Sequence, residues 1–239
     1  MAWLLGPALL GLASGCDLLS GVPAGVVVGD VRFDGRPAPG ITVALQTYSS
    51  DRWTSYTVNG TAATATTDAS GQYRFERLKA GQYRVRFDLA PSVVMVGGTQ
   101  LGPKEVATWT TKDVSIGGGG ARIAAFDVAY DGLIYPESGK SNTYSERVPL
   151  PFHWHTHREA DHYKVKIYDK SGGATNPKLV WESDWTTTPV TSLSKATQPG
   201  NYQWEVELDA GNGGTGTSER RNLDLDFQGA TPEPSPEPS

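Results

Sequence analysis

A single cysteine, Cys16, stands in 239 residues, so an internal disulfide framework is excluded. Lysine and arginine do not outnumber the acids: the formal net charge is -5, and the basic footprint that neutralises phosphates is missing. Nucleic acid is therefore not an expected partner. A membrane helix needs about 20 consecutive apolar residues, and the run from Ala2 to Ala13 falls well short of that. Methionine is scarce, with two residues, and no amphipathic helical period stands out. Signatures of catalysis are lacking as well. No Gly-x-Ser-x-Gly elbow occurs, and the glycines 117 to 120 are not followed by the Lys-Ser/Thr of a phosphate cradle. Three residues after His155 and His157 stand Arg158 and Ala160, not the glutamate of a zinc peptidase.

What the chain does have is 28 Gly, 16 Pro and many Thr, Val, Tyr and Trp. Branched and aromatic side chains fit a pleated surface, and short alternating runs punctuated by turn residues are the signal of sandwiches or barrels. The expected class is all-β: two tandem β-sandwich domains behind an N-terminal signal and lipobox segment.

That segment holds Trp3, Leu4, Leu5, Ala8, Leu9, Leu10 and Leu12 without a charge, followed by small Ala13, Ser14 and Gly15. It has the makeup of an apolar leader with a cleavage site. Ala13-Ser14-Gly15-Cys16 resembles the lipobox of bacterial lipoproteins, in which a diacylglycerol is joined to the cysteine thiol and the cut falls just before it. The resemblance implies a signal peptide over residues 1–15, lipidation of Cys16, a spacer over 16–25, and membrane anchoring in the cell envelope, periplasmic or surface-exposed. A plain secretory leader with an incidental cysteine is the alternative.

From Val26 the chain reads strand, turn, strand: Val26 to Phe33, the hairpin signal Asp34-Gly35, then Ile41, Val43 and Leu45 alternating inward. Thr67-Asp68-Ala69-Ser70-Gly71 and Leu78-Lys79-Ala80-Gly81 are turns before Tyr73-Arg74-Phe75 and Tyr83-Arg84-Val85-Arg86-Phe87. There the arginines take one parity and the aromatics the other, as a sheet buried on one face requires. These pieces resemble the carboxypeptidase regulatory-like domain, a transthyretin- or prealbumin-like sandwich. The resemblance implies a non-catalytic module over residues 26–130, related to carbohydrate-binding-like folds and without peptidase activity. The stretch 48–66 exceeds the pattern and predicts an extra hairpin around Asn59-Gly60. Asp113 to Ile116 and Ala121 to Tyr130 should close the sandwich.

A turn-rich segment from Asp131 to Ser145 opens a second domain over residues 131–228. Phe152 and Trp154, the run His162 to Tyr168, and the alternation Tyr202, Trp204, Val206, Leu208 against Gln203, Glu205, Glu207 mark half-buried strands. Their order resembles a fibronectin type III or immunoglobulin-like sandwich, with Tyr202 as the candidate tyrosine corner. Residues 229–239 carry the Pro/Glu/Ser run, which has nothing apolar to bury and reads as a disordered, extended tail.

Two constellations are candidates for chemistry. His153, His155 and His157 follow an H-x-H-x-H spacing that projects imidazoles to one face of a strand, and imidazole suits Zn, Cu or Ni; a solvated strand face is the plain alternative. Trp53, Tyr56 and Trp109 lie outside the clearest core pattern and could stack on sugar rings; ordinary burial is the competing account. No cofactor and no catalytic residue is expected. The sequence therefore reads as a non-enzymatic, lipid-anchored envelope protein with binding or scaffolding modules, its partners the membrane and an envelope polysaccharide or protein. A carbohydrate-binding module and a metal-binding protein or metal-dependent enzyme using the histidines are the alternatives.

Overall fold

A computed structural model describes residues 21–89, 95–96, 99–100, 105–171, 177–195 and 197–229. Cys16, the apolar segment before it and the C-terminal Pro/Glu/Ser run, and with them the expected signal, lipidation and tail, lie outside the described residues. The architecture is all-β, with a single 3-10 turn at Gly211–Gly213 as its one helical element among those residues.

The first module comprises β1 (Val27–Phe33), β2 (Thr42–Ser49), β3 (Arg52–Ser55), β4 (Gln72–Phe75), β5 (Gly81–Asp88), β6 (Thr108–Thr110), β7 (Val114–Ile116) and β8 (Phe126–Asp127). β1 is central to one layer, antiparallel to β4 and parallel to Ala121–Arg122 and β8. The other layer runs β6, β5, β2, β3, with β7 on the far end of β5. Period-2 alternation decides what faces inward: Val43 and Leu45 on β2 and Tyr83, Val85 and Phe87 on β5 are buried. Asp34-Gly35 makes a tight turn with both residues at positive φ, as a type I′ hairpin demands. Its partner strand, however, is only Arg36–Pro37. The strand after it, β2, crosses to the opposite layer, where the sequence alone reads a simple hairpin. The extra hairpin is present: Thr57–Val58 pairs with Thr61–Ala62 around Asn59 and Gly60.

The second module comprises β9 (Leu133–Tyr135), β10 (Ser141–Tyr144), β11 (Leu150–Trp154), β12 (His162–Asp169), β13 (Lys178–Glu182), β14 (Val190–Leu193), β15 (Gly200–Asp209), β16 (Thr215–Thr217) and β17 (Arg221–Phe227). One layer is β9, β11, β14. In the other, β15 pairs with β12 along one side and with β16 and β17 along the other, β13 and β10 flanking. Trp204 and Phe152 meet edge to face, centroids 5.0 Å apart, between the layers. Both modules carry the same corner device. Tyr83 Oη donates to the Lys79 carbonyl at 2.9 Å, and Tyr202 Oη to the Gln198 carbonyl at 2.7 Å, each four residues upstream and each after a glycine two positions before the tyrosine.

The modules are joined by strand pairing. β16 bonds β15 on one side and β6 on the other, with Thr108 opposite Thr217, Trp109 opposite Gly216 and Thr110 opposite Thr215. One sheet therefore runs β13, β12, β15, β16, β6, β5, β2, β3 without a break. The buried hydrophobic residues of the two modules likewise form one connected cluster.

Candidate functional site

Two places bring the chemistry-bearing residues together: the junction between the modules and the outward face of their shared sheet. At the junction, Trp109 is fully buried. Its indole stacks on Phe126 at 6.1 Å and on His157 at 5.1 Å, and Nε1 donates to the Gly213 carbonyl at 3.2 Å. The ring lies flat across Gly216, where a Cβ would come within 2.4 Å of Trp109 Cε3. Truncating a buried aromatic typically costs about 3–5 kcal/mol, whereas an exposed ion pair contributes about 0–1. Trp109 and its partners thus outweigh a pair such as Arg158 with Asp34, 3.5 Å apart and exposed.

Burial of Trp109 corrects the expectation that it presents a sugar-stacking surface. Its place on β6 puts it on the inward parity, and the adjoining module closes over what would otherwise be a sheet edge.

His157 reaches into the first module from the segment after β11. Its Nε2 lies 3.0 Å from the Asp127 carbonyl oxygen, and its Nδ1 accepts from the Glu159 amide at 3.2 Å. A carbonyl only accepts and an amide N–H only donates, so the ring is the neutral Nε2–H tautomer. Burial pushes its pKa down in the same sense. Asp127 is also enclosed: its carboxylate accepts from the amides of Asp34 (3.0 Å), Gly35 (2.6 Å) and Ala129 (2.9 Å), which fixes the β1 turn against β8. Glu159 Oε2 takes the Asp127 amide at 2.9 Å, and burial raises its carboxyl. A cavity of about 370 Å³ opens beside this cluster, lined in part by Asp34, Tyr130, Thr156 and Arg158.

These contacts correct the metal expectation for His153, His155 and His157. β11 ends at Trp154, so the period-2 alternation that would align three imidazoles ends with it. His153 faces out against the Tyr135 ring at 6.5 Å and His155 is exposed, while His157 is buried with both nitrogens engaged. Among the described residues no group of three or more His, Cys, Asp or Glu side chains is placed to hold a metal ion.

On the outward sheet face, Trp53 of β3 sits opposite Tyr48 of β2, ring centroids 5.4 Å apart. The Arg84 guanidinium lies 4.4 Å from the Trp53 ring centroid, and its Nε donates to Gln46 Oε1 at 2.7 Å. Tyr56 does not join them. It packs edge-on against Tyr83 at 5.7 Å, half-buried against the core. Where the modules meet, Glu205 Oε1 accepts from Tyr168 Oη at 2.6 Å and Oε2 from Arg220 Nε at 2.8 Å, with the Arg220 guanidinium 4.2 Å above the Tyr168 ring. Burial, followed by the bond to Glu205, raises the Tyr168 phenol. Asp127, Gly216 and Glu205 escape a sequence reading. The glycine-rich run Gly211 to Gly216 carries the one usable signal, since an isolated strand glycine marks a close approach.

Residues 25–92 match the family of carboxypeptidase regulatory-like domains. This regulatory-like module accounts for β1 to β5, up to the start of the stretch that leads into the seam. No curated protein matches the chain. Among solved structures, a Bacteroides uniformis protein proposed to bind carbohydrate is 14% identical, covering 85% of this chain and 100% of its own, with a TM-score of 0.29. The fibronectin(III)-like modules of Clostridium thermocellum CbhA are 11% identical, covering 92% and 97%, TM-score 0.30. A streptococcal ancillary pilin is 13% identical, covering 87% and 62%, TM-score 0.34. None of these carries a function to the chain. No helix among the described residues is long and apolar enough to cross a membrane.

Proposed function

We propose that this chain is a non-enzymatic, lipid-anchored envelope protein whose regulatory-like and fibronectin-like modules act as one stiff binding or scaffolding body. The seam carries this reading. A strand shared by both modules, with Trp109 laid across it, fixes their relative orientation, which tethered domains on flexible linkers lack. At the junction the titratable groups are spent on structure: His157 on Asp127 and Glu159, and the Asp127 carboxylate on three backbone amides. Such a body needs a fixed point, and the Cys16 motif provides one at the end of the spacer. Metabolic labelling with palmitate tests the anchor. Cys16→Ser should abolish incorporation and release the protein from the membrane fraction; continued labelling would refute it.

The binding side of the proposal is favoured by exposed Tyr48 and half-buried Trp53, paired aromatic rings on the outward sheet face.

A further inference from the structure

We infer that the outward face of the shared sheet is a track for a long, uncharged polysaccharide, seated across the seam between the modules. The inference rests on the binding side of the function proposed above and names its ligand class. Register defines the track. Trp53 is opposite Tyr48, Gln46 opposite Arg84 and Arg86 opposite Thr110; Thr108 is opposite Thr217, which faces Glu207, and Glu207 faces Lys164. Directly opposed residues share a face, so one surface extends from Trp53 to Lys164. Six strand spacings separate these ends, roughly 30 Å.

An aromatic ring stands at each end. Trp53 lies beneath the Arg84 guanidinium beside Tyr48, and Trp185, 43% exposed, lies 5.0 Å from Lys164 Nζ. Between them, at the seam, is a groove of about 410 Å³ lined by Arg86, Thr108, Glu205, Thr217 and Arg220. Its floor is built: Glu205 is 6% exposed although the alternation of β15 turns it outward, and Tyr168 and Arg220 hold both of its oxygens.

The chemistry of these parts fits a chain of sugars. Ring faces pack on the apolar faces of pyranoses, and fixed guanidinium, carboxylate and hydroxyl groups together offer the donors and acceptors that hydroxyls need. The charges argue for a neutral ligand. Arg86 pairs with Asp88, Arg220 with Glu205 and Lys166 with Glu207. Lys164 is likewise paired, with Glu182, while Arg84 is held by Gln46 and the Trp53 ring. A surface most of whose cations are matched by neighbouring acids has little field to draw in a polyanion.

Calorimetric titration of the full chain in detergent tests this, with cellohexaose, laminarihexaose and xylohexaose as probes and the corresponding disaccharides and polygalacturonate as comparisons. A neutral hexaose should bind at least ten-fold tighter than its disaccharide. Trp53→Ala and Trp185→Ala should each weaken it at least five-fold, with folding checked by circular dichroism. Absence of binding by all three hexaoses overturns the inference. Equal affinity for disaccharide and hexaose does so too, since it describes one pocket and not a track. Unchanged affinity in the Trp53→Ala/Trp185→Ala double variant would place the sugar elsewhere, and tighter binding of polygalacturonate would make charge the cause. None of these outcomes affects the anchor, which the palmitate experiment decides separately.

Discussion

A histidine earmarked by its spacing as a metal ligand turns out to be a neutral peg between modules, and its proton inventory can be read out. Burial holds the His157 imidazole below its ordinary 6.5, with Asp127 opposing. The unfolded chain therefore protonates first as pH falls. The contribution of His157 to stability is complete above pH 6.5 and is lost as the pH drops toward and through the folded value. Glu159 has the opposite sign: burial raises its carboxyl above 4.5, so its contribution is present below 4.5 and lost as pH rises through its folded value. Its relief on acidification opposes the His157 loss, so the imidazole is isolated by comparing the wild type with a His157 variant. Urea unfolding at pH 7.5 and 5.5 should show the wild type losing stability on acidification. His157→Phe should lose less, from a starting point about 1–3 kcal/mol lower because the Asp127 carbonyl is left unpaired. Equal slopes in the two proteins would refute the peg.

At the scale of elements, the two tyrosine corners show how far local sequence reaches. Gly-x-Tyr after a turn places each hydroxyl over a carbonyl four residues back, and Tyr202 was legible as a corner because the pattern is contained within a few residues. Tyr83→Phe and Tyr202→Phe should each cost about 1 kcal/mol by urea denaturation. The double variant should lose the sum within about 0.5 kcal/mol, because the corners share no partner; a clearly larger or smaller sum would show coupling through the seam. The strands themselves were equally legible, since period-2 burial of Val43 and Leu45, or of Trp204, Val206 and Leu208, is written in consecutive residues. What was not legible depends on pairings distant in sequence. Trp109 reads as surplus until β6 is known to pair with β16, about a hundred positions later. Asp127 reads as one more acid until the Asp34-Gly35 amides arrive beside it. The histidine run misleads because strand alternation stops at Trp154, and that end is set by tertiary packing.

For the whole molecule, the shared sheet replaces the picture of two beads on a string. Modules joined by a short linker unfold separately, each with its own transition; modules that share a strand and a core lose both together, because opening the seam exposes Trp109, Phe126 and His157 at once. Gly216 decides which regime applies. Its missing side chain is the space in which the indole lies, and a Cβ there would also come within 2.9 Å of the Thr108 carbonyl oxygen. Valine at this position is compatible with a strand and removes no side chain from either core; its clash falls on the Trp109 indole at the junction, so it should open the seam before either sandwich. Differential scanning calorimetry should give one transition for the wild type, with a calorimetric enthalpy equal to the van't Hoff value. Gly216→Val should split it into two, and amide exchange at Thr108 to Thr110 should accelerate while that at Val165 and Val85 stays slow. Two transitions in the wild type would show that the seam contributes too little to couple the modules, and the stiff body proposed here would then give way to a jointed one.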